Sequence, residues 1–251
     1  MNKTWEFTGE TKVFGGIEFR RIRATVDFTL KCGLKVAKGE VGGWVEKDTN
    51  LFDGAWVYDD AKVSGNAKVY GNARVYGNAR VSDNTKVYGN AVVADNAVVS
   101  GNARVYGNAV VHGNAGVYND AKVSGNAVVY GDAKVSGDAR VCGDVLVRGS
   151  ARVRGNARLS GNAIVSGNAW IAGDAQVKSS KDYCVFKNTW SSFRWFTYTR
   201  SNKKWAVGCF YGTGKELVEK AYKDSDLSGR CYEAIVKAQD AIELAKESEV
   251  K

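Results

Sequence analysis

The sequence lacks several features that define large classes of proteins. It has no proline and one histidine among 251 residues. Its five cysteines lie far apart without CxxC spacing, which argues against cysteine-based metal motifs and a disulfide framework. No run of about 18 apolar residues occurs, so we expect no membrane span. No apolar stretch of signal-peptide length lies near the N-terminus, so we expect a cytoplasmic protein.

The positive charge is spread evenly along the chain. The net charge is +9; residues 1–44 carry 8 basic and 5 acidic groups, residues 45–180 carry 15 and 12, and residues 181–251 carry 13 and 10. Each segment therefore has the same excess, and no basic tail is present. A positively charged surface can therefore arise only if the fold brings cations together on one face.

A six-residue repeat occupies more than half of the chain. From Val45 to Val177 an aliphatic residue stands at every sixth position, and from Leu51 onward a small residue, nearly always alanine, precedes it by two places. Pairs such as Gly71-Asn72 separate the units. Six does not match the roughly 3.6-residue period of a helix. The pattern predicts very short parallel strands stacked in coils, with glycine or asparagine at corners that need positive φ.

These units resemble the hexapeptide-repeat proteins, in which a small residue likewise stands two places before an aliphatic one. The resemblance covers about 136 residues in 23 units and implies a left-handed parallel β-helix with three units per coil. About seven and a half coils would be about 36 Å long, because neighbouring strands lie ~4.8 Å apart. We therefore expect a mainly β protein with residues 45–180 as the β-helix.

The segments on either side of the repeat differ from it. Residues 1–44 alternate apolar and polar residues around Gly15-Gly16, which predicts a hairpin within a small N-terminal β cap. Residues 181–251 are predicted to form a C-terminal α+β domain. Two strands are expected around residues 201–204, one helix from near Lys215, and another after Ser228-Gly229. Caps are needed because an open coil exposes unpaired strand edges.

The repeat leaves one outward residue free in each unit, and three units per coil would sort these residues into three columns. The first column is apolar except at Arg74, which predicts a partner surface through which the chain forms a dimer or trimer. Packing by the terminal domains, or the preference of strands for β-branched residues, would explain the same pattern. The predicted interface residues are Trp56, Val92, Val110, Val128, Leu146 and Ile164, with Tyr76 and Tyr130 beside them.

The third column carries six cations in register beside three tyrosines. Neighbouring charges ~5 Å apart in water repel by at most about 1 kcal/mol per pair, so the fold tolerates the column without a ligand. A solvated face is one explanation, and an acidic partner, either a protein or a nucleic-acid backbone, is the other. The cations are Lys68, Lys86, Arg104, Lys122, Arg140 and Arg158.

Catalytic chemistry has little support in the sequence. Many hexapeptide-repeat proteins are acyltransferases, and the resemblance implies a histidine base with loops that interrupt the coils to form an acyl-CoA site. Here the single histidine, His112, lies inside an unbroken unit, and no insertion occurs between Val45 and Val177. One histidine also argues against a three-histidine zinc site. We predict no catalytic residue, no cofactor and no metal, and keep acyltransfer as an alternative.

The layout of the chain also resembles uncharacterised bacterial and prophage proteins often labelled polymer-forming cytoskeletal proteins. The matching parts are residues 20–24, residues 42–46 and residues 55–57. This resemblance implies a non-enzymatic scaffold. We expect a self-associating binding protein in the cytoplasm of a bacterium or an infected host cell. Its macromolecular partner is expected to be a protein. A phage-encoded host-interaction or counter-defence role follows by analogy, and nucleic-acid binding is the main alternative.

Overall fold

The structure is a computed structural model that describes residues 3–30, 32–52 and 54–249. It begins with the predicted hairpin of β1 (Trp5–Phe14) and β2 (Ile17–Ala24). A second small hairpin joins β3 (Phe28–Thr29) to β4 (Lys35–Val36). The next strand, β5 (Val41–Val45), pairs antiparallel with β2 and parallel with the first coil. The N-terminal hairpin therefore continues one sheet of the repeat.

The repeat folds as 21 strands of two residues, each containing the outward residue and the inward aliphatic residue of one unit. A 3-10 helix (Asp48–Asn50) leads into them. In chain order, β6 to β26 are Trp56–Val57, Lys62–Val63, Lys68–Val69, Arg74–Val75, Arg80–Val81, Lys86–Val87, Val92–Val93, Val98–Val99, Arg104–Val105, Val110–Val111, Gly116–Val117, Lys122–Val123, Val128–Val129, Lys134–Val135, Arg140–Val141, Leu146–Val147, Arg152–Val153, Arg158–Leu159, Ile164–Val165, Trp170–Ile171 and Gln176–Val177.

Strands three units apart pair in parallel without a shift of register. Arg80, for example, lies opposite Lys62 on one side and Val98 on the other, so 18 residues make one coil. Two sheets have seven strands each, namely β6 to β24 and β8 to β26 taken every third strand. The third sheet starts with β1, β2 and β5 and continues from β7 to β25, giving ten strands. The predicted parallel β-helix is confirmed, while its handedness stays a prediction.

Valine and alanine form the core of the β-helix. The inward positions are buried in every coil, and the few substitutions, such as Thr85 and Val145, are buried as well. Burying one valine side chain stabilises the fold by about 1.5–3 kcal/mol. Because each coil repeats the same contacts with its neighbours, this stabilisation accumulates along the axis.

Glycine is required at the corners because successive coils approach closely there. At Gly131 φ is +71°, and a Cβ would lie 3.1 Å from the backbone nitrogen of Gly149 in the next coil. Asp83 and Asp95 also adopt positive φ at equivalent corners. Their carboxylates accept hydrogen bonds from backbone N–H groups in the next coil, which offsets the strain.

Asparagine side chains form hydrogen-bonded chains along the corners. Each amide donates to the residue one coil further on, and the last acceptor is an aspartate. The chain ends there because an ionised carboxylate accepts but cannot donate. The chains are Asn66, Asn84, Asn102 and Asp120; Asn72, Asn90, Asn108, Asn126 and Asp144; and Asn96, Asn114 and Asp132.

The C-terminal segment forms an antiparallel sheet covered by two helices. After a 3-10 helix (Ser180–Asp182), the sheet runs in the order β27 (Tyr183–Lys187), β28 (Trp195–Thr199), β29 (Lys204–Val207) and β30 (Phe210–Gly212). The predicted strands around residues 201–204 are β28 and β29. The helices are α1 (Gly214–Asp224) and α2 (Asp226–Glu249). No helix in the described part of the chain is both long enough and apolar enough to cross a membrane.

The two helices differ in how well the sequence located them. The first helix starts beside Lys215, as predicted, and the hydroxyl of Thr213 caps it by accepting from the Glu216 N–H. The second helix starts earlier than predicted, since it begins at Asp226 and runs through Gly229. Gly229 does not mark a helix boundary; it makes room for the Tyr222 ring, which a Cβ would meet at 2.2 Å.

Hydroxyl groups of the C-terminal segment close the last coil. One backbone N–H on each of the three sheets donates to a serine or threonine oxygen: Ile164 to Ser180, Trp170 to Thr197, and Gln176 to Ser201. These N–H groups would otherwise pair with a further coil. One ladder donor on each sheet at the end of the β-helix is therefore satisfied within the chain.

Arginine side chains of β2 bind backbone carbonyls next to the first coil. The guanidinium groups of Arg20 and Arg21 donate to the backbone carbonyls of Glu46 and Gly42, at 2.8 and 3.0 Å. Arginine is suited to this role because it carries several donors on a rigid, always charged fork. Both ends of the β-helix are thus covered by segments of the same chain.

Candidate interaction faces

The first column of outward residues lies on the sheet from β6 to β24, which we name the apolar face. Val110, Val128 and Leu146 are half-buried, and Ile164 is 36% exposed. These four residues occupy consecutive coils in register. They form an uninterrupted aliphatic row on the surface toward the C-terminal end of the β-helix.

The prediction that Trp56 belongs to this surface is wrong. Trp56 is 0% exposed, and the Phe28 ring packs edge-on against it at 5.6 Å between ring centroids. Val92 is also buried, at 6% exposure. The N-terminal segment folds over the first coil, which periodicity alone does not reveal. The part of the apolar face that remains at the surface therefore starts at Val110.

Aromatic residues border the apolar face. Tyr76 and Tyr130 are half-buried beside it, as is His112 between them. The imidazole of His112 stacks on Tyr130 at 5.1 Å, and its Nδ1 lies 3.4 Å from a carboxylate oxygen of Asp95. The aromatic rings therefore widen the apolar face. Among the described residues, no group of three His, Cys, Asp or Glu side chains is arranged to hold a metal.

The predicted cation column lies on the sheet from β8 to β26, which we name the basic face. All six cations are exposed except Lys122, which is half-buried. None of them forms an ion pair with any residue that the structure describes. Direct contact with acidic side chains therefore does not neutralise the column within the described residues.

The tyrosines beside the basic face stack on one another. Tyr70, Tyr88 and Tyr106 lie 5.0 Å apart with nearly parallel rings, and Phe52 meets Tyr70 edge-on. Their faces are occupied by each other, so a nucleobase cannot insert between them. Burial raises the pKa of Tyr88, and its tyrosine neighbours raise it further, so the hydroxyl stays protonated at neutral pH. The row presents ring edges and hydroxyl groups.

One site was not found from the sequence. A cleft lies where the β-helix meets the C-terminal sheet, and Arg152, Trp170, Arg194 and Trp195 line it. The sequence places Arg194 in the predicted C-terminal α+β domain and gives no sign that it lies near Arg152. The available signal was Trp170, a large aromatic residue at the end of an outward column that otherwise carries mostly small or charged residues.

A protein-family model for the YdcK β-solenoid repeat matches residues 73–85, 99–113 and 157–177. All three segments lie within the coils of parallel strands. The chain is a β-solenoid repeat protein. No curated protein matches this chain. The family match concerns the repeat architecture, so the label of a polymer-forming cytoskeletal protein is not confirmed for this solenoid.

Proposed function

We propose that this solenoid protein is a non-catalytic scaffold that self-associates through its apolar face and presents its remaining surfaces to a macromolecular partner. The observation that carries this proposal is the aliphatic row from Val110 to Ile164, which stays at the surface while both solenoid ends are covered. Contiguous apolar surface of this kind marks association sites in soluble proteins. Because both ends are covered, the sides of the solenoid remain available for contact between copies of the chain.

The size of the apolar face sets a condition on the interface. Four coils span about 20 Å at most, and a single column over that length is smaller than the about 800 Å² per partner of a typical stable interface. The neighbouring rings of Tyr76, His112 and Tyr130 must therefore take part. Tyrosine suits such a position because it buries a large rigid ring while its hydroxyl remains hydrated.

Substitution of Val110, Val128 and Leu146 by glutamate tests self-association. The fold should persist, because lysine or arginine occupies the equivalent outward position in other units. We expect the mass measured by light scattering to fall to that of a monomer, since three buried carboxylates would oppose each interface. Val98→Glu, at a half-buried outward position of the third sheet, is the matched control and should keep the assembly. An unchanged mass in the triple variant would overturn the proposal.

Nucleic-acid binding is the second candidate, and the unpaired cations of the basic face favour it. Six cations at a spacing of ~4.8 Å form a row about 24 Å long, which suits a flexible polyanion. Stacked tyrosines beside the row would contribute hydroxyl donors to phosphates rather than platforms for bases. Binding by this face would therefore depend weakly on sequence and steeply on salt.

Charge reversal on one face at a time tests this candidate. Lys122→Glu with Arg140→Glu should weaken binding of single-stranded DNA and lower the slope of log affinity against log salt, by roughly 0.7 for each lost phosphate contact. Lys134→Glu with Arg148→Glu changes the net charge equally on the other two faces and serves as the control. Equal loss in both pairs would show that overall charge, and not the basic face, drives binding.

A further inference from the structure

The cleft at the junction of the solenoid and the C-terminal sheet has the composition of a binding site. Its volume is about 210 Å³, and its walls come from two parts of the chain. Arg152 and Trp170 belong to the last coils of the third sheet, while Arg194 directly precedes β28 and Trp195 is the first residue of β28. The hydrogen bond from the Trp170 N–H to Thr197 fixes the two walls relative to each other.

The cleft has an uncompensated positive charge. Arg152 and Arg194 line it, and the Arg154 guanidinium lies 3.8 Å from the centre of the Trp170 ring. None of the three forms an ion pair within the described residues, and no acidic residue is among those that line the cleft. Asp224 lines a larger adjoining pocket, of about 260 Å³, together with Lys220 and Arg194.

Local packing brings these cations together at a cost. Burial lowers the pKa of the Arg154 guanidinium, and repulsion from Arg152 lowers it further. The stem of Arg194 lies against Gly208, where a Cβ would stand 3.3 Å from the Arg194 Cδ. An oxyanion in the cleft would relieve the repulsion, and guanidinium groups bind such anions through paired hydrogen bonds.

Two indole groups complete the site. Trp195 is 40% exposed, so one part of its ring is open to a planar ligand. The Nε1 of Trp170 is buried and has no hydrogen-bond partner among the described residues. A buried N–H donor normally has a partner, because leaving it unsatisfied costs about 1–3 kcal/mol. Trp170 therefore contributes its ring to the wall of the cleft, and its buried Nε1 is out of reach of a ligand.

We propose that this cleft binds a small phosphate monoester carried on a planar ring, of which a nucleoside monophosphate is the simplest form. Arg152 and Arg194 hold the phosphate, and Trp195 stacks on the ring. The proposal is independent of self-association, because none of these residues belongs to the apolar face. It also differs from polyanion binding, since these arginines lie on another sheet from the basic face.

Calorimetric titration of the full chain with a nucleoside 5′-monophosphate tests the proposal. We expect saturable binding, with weaker binding of inorganic phosphate and of the nucleoside without phosphate. Arg152→Gln with Arg194→Gln should weaken binding by about tenfold or more, because two charge-assisted contacts are lost. Lys35→Gln with Lys38→Gln removes the same charge from exposed positions of the N-terminal segment and should leave binding unchanged. Trp195→Ala should weaken the monophosphate but not inorganic phosphate.

Four results would overturn the proposal. The first is no saturable binding of the monophosphate by the intact chain. The second is unchanged affinity in the Arg152→Gln, Arg194→Gln variant when its melting temperature matches that of the parent. The third is equal affinity for the nucleoside and its monophosphate. A trinucleotide with a 5′ phosphate that binds through the same arginines more tightly than the mononucleotide would contradict a free small molecule as the ligand.

Discussion

Cys184 shows how one half-buried side chain acquires chemistry unlike that of its counterparts. Its sulfur lies 2.9 Å from the Oε1 of Gln239, to which the thiol donates, whereas Cys142 and Cys209 are exposed. Burial raises the pKa of Cys184 to about 11. The neutral thiol is therefore favoured in the fold. The stability that it contributes is fully present below pH 9 and is lost as pH rises through about 11.

This difference predicts selective alkylation. At pH 8 iodoacetamide should modify Cys142 readily and Cys184 hardly at all, because a pKa raised by about two units reduces the thiolate fraction about 100-fold. Labelling of Cys184 should rise between pH 9 and pH 11. Peptide mass spectrometry measures both sites in one sample. Equal rates at pH 8 would contradict the burial that the structure assigns to this thiol.

At the scale of elements, the asparagine chains couple one coil to the next. Asn108 accepts from Asn90 at 2.9 Å and donates to Asn126 at 3.0 Å. Asn162 stands in the same corner column beyond Asp144 and makes no side-chain hydrogen bond within the described residues. The two positions are both exposed, so they differ mainly in whether the side chain takes part in a chain of amides.

Asn108→Asp should therefore destabilise the solenoid more than Asn162→Asp. An aspartate at 108 still accepts from Asn90 but cannot donate to Asn126, and it opposes the Oδ1 of that residue. We expect a loss of about 0.5–1.5 kcal/mol, which is the usual value of one hydrogen bond. The midpoint of urea unfolding measures it. Asn162→Asp carries the same new charge, and equal shifts in both variants would show that the amide chain does not stabilise the coils.

The elements differ in how far the sequence predicts them. The two-residue strands follow from the hexad, because inward Val and Ala repeat the same local contacts in every unit. The cover over Trp56 depends on Phe28, which lies outside the repeat, so periodicity gives no signal for it. The cleft requires Arg152 and Arg194 to meet across more than two coils' length of chain, and such long-range contacts leave no local pattern.

At the scale of the whole molecule, the covered ends limit how the solenoid can assemble. The three hydroxyl acceptors at the last coil bind ladder donors that end-to-end stacking would need, and at the first coil β2 already pairs with β5. A finite side-by-side oligomer does not require these groups, whereas a filament does. The expectation of a scaffold therefore does not extend to polymer formation.

Electron microscopy at increasing protein concentration should show no filaments of the intact chain. The variant Ser180→Ala, Thr197→Val, Ser201→Ala should form larger assemblies, because it removes the acceptors of three ladder N–H groups at the last coil and loosens the C-terminal cover. Exchange of serine for threonine and threonine for serine at these positions keeps the acceptors and serves as the control. Filaments of the parent chain would contradict the role assigned to the ends.

The 18-residue register also governs how insertions and deletions act on this molecule. Removal of residues 115–132 would shorten the solenoid by one coil and return every later residue to its own sheet. Removal of a single unit of six residues would instead transfer all later outward residues to the next sheet. The apolar and basic columns would then each be broken in the middle. The length of the solenoid can thus change without altering the surface columns, but only in steps of three units.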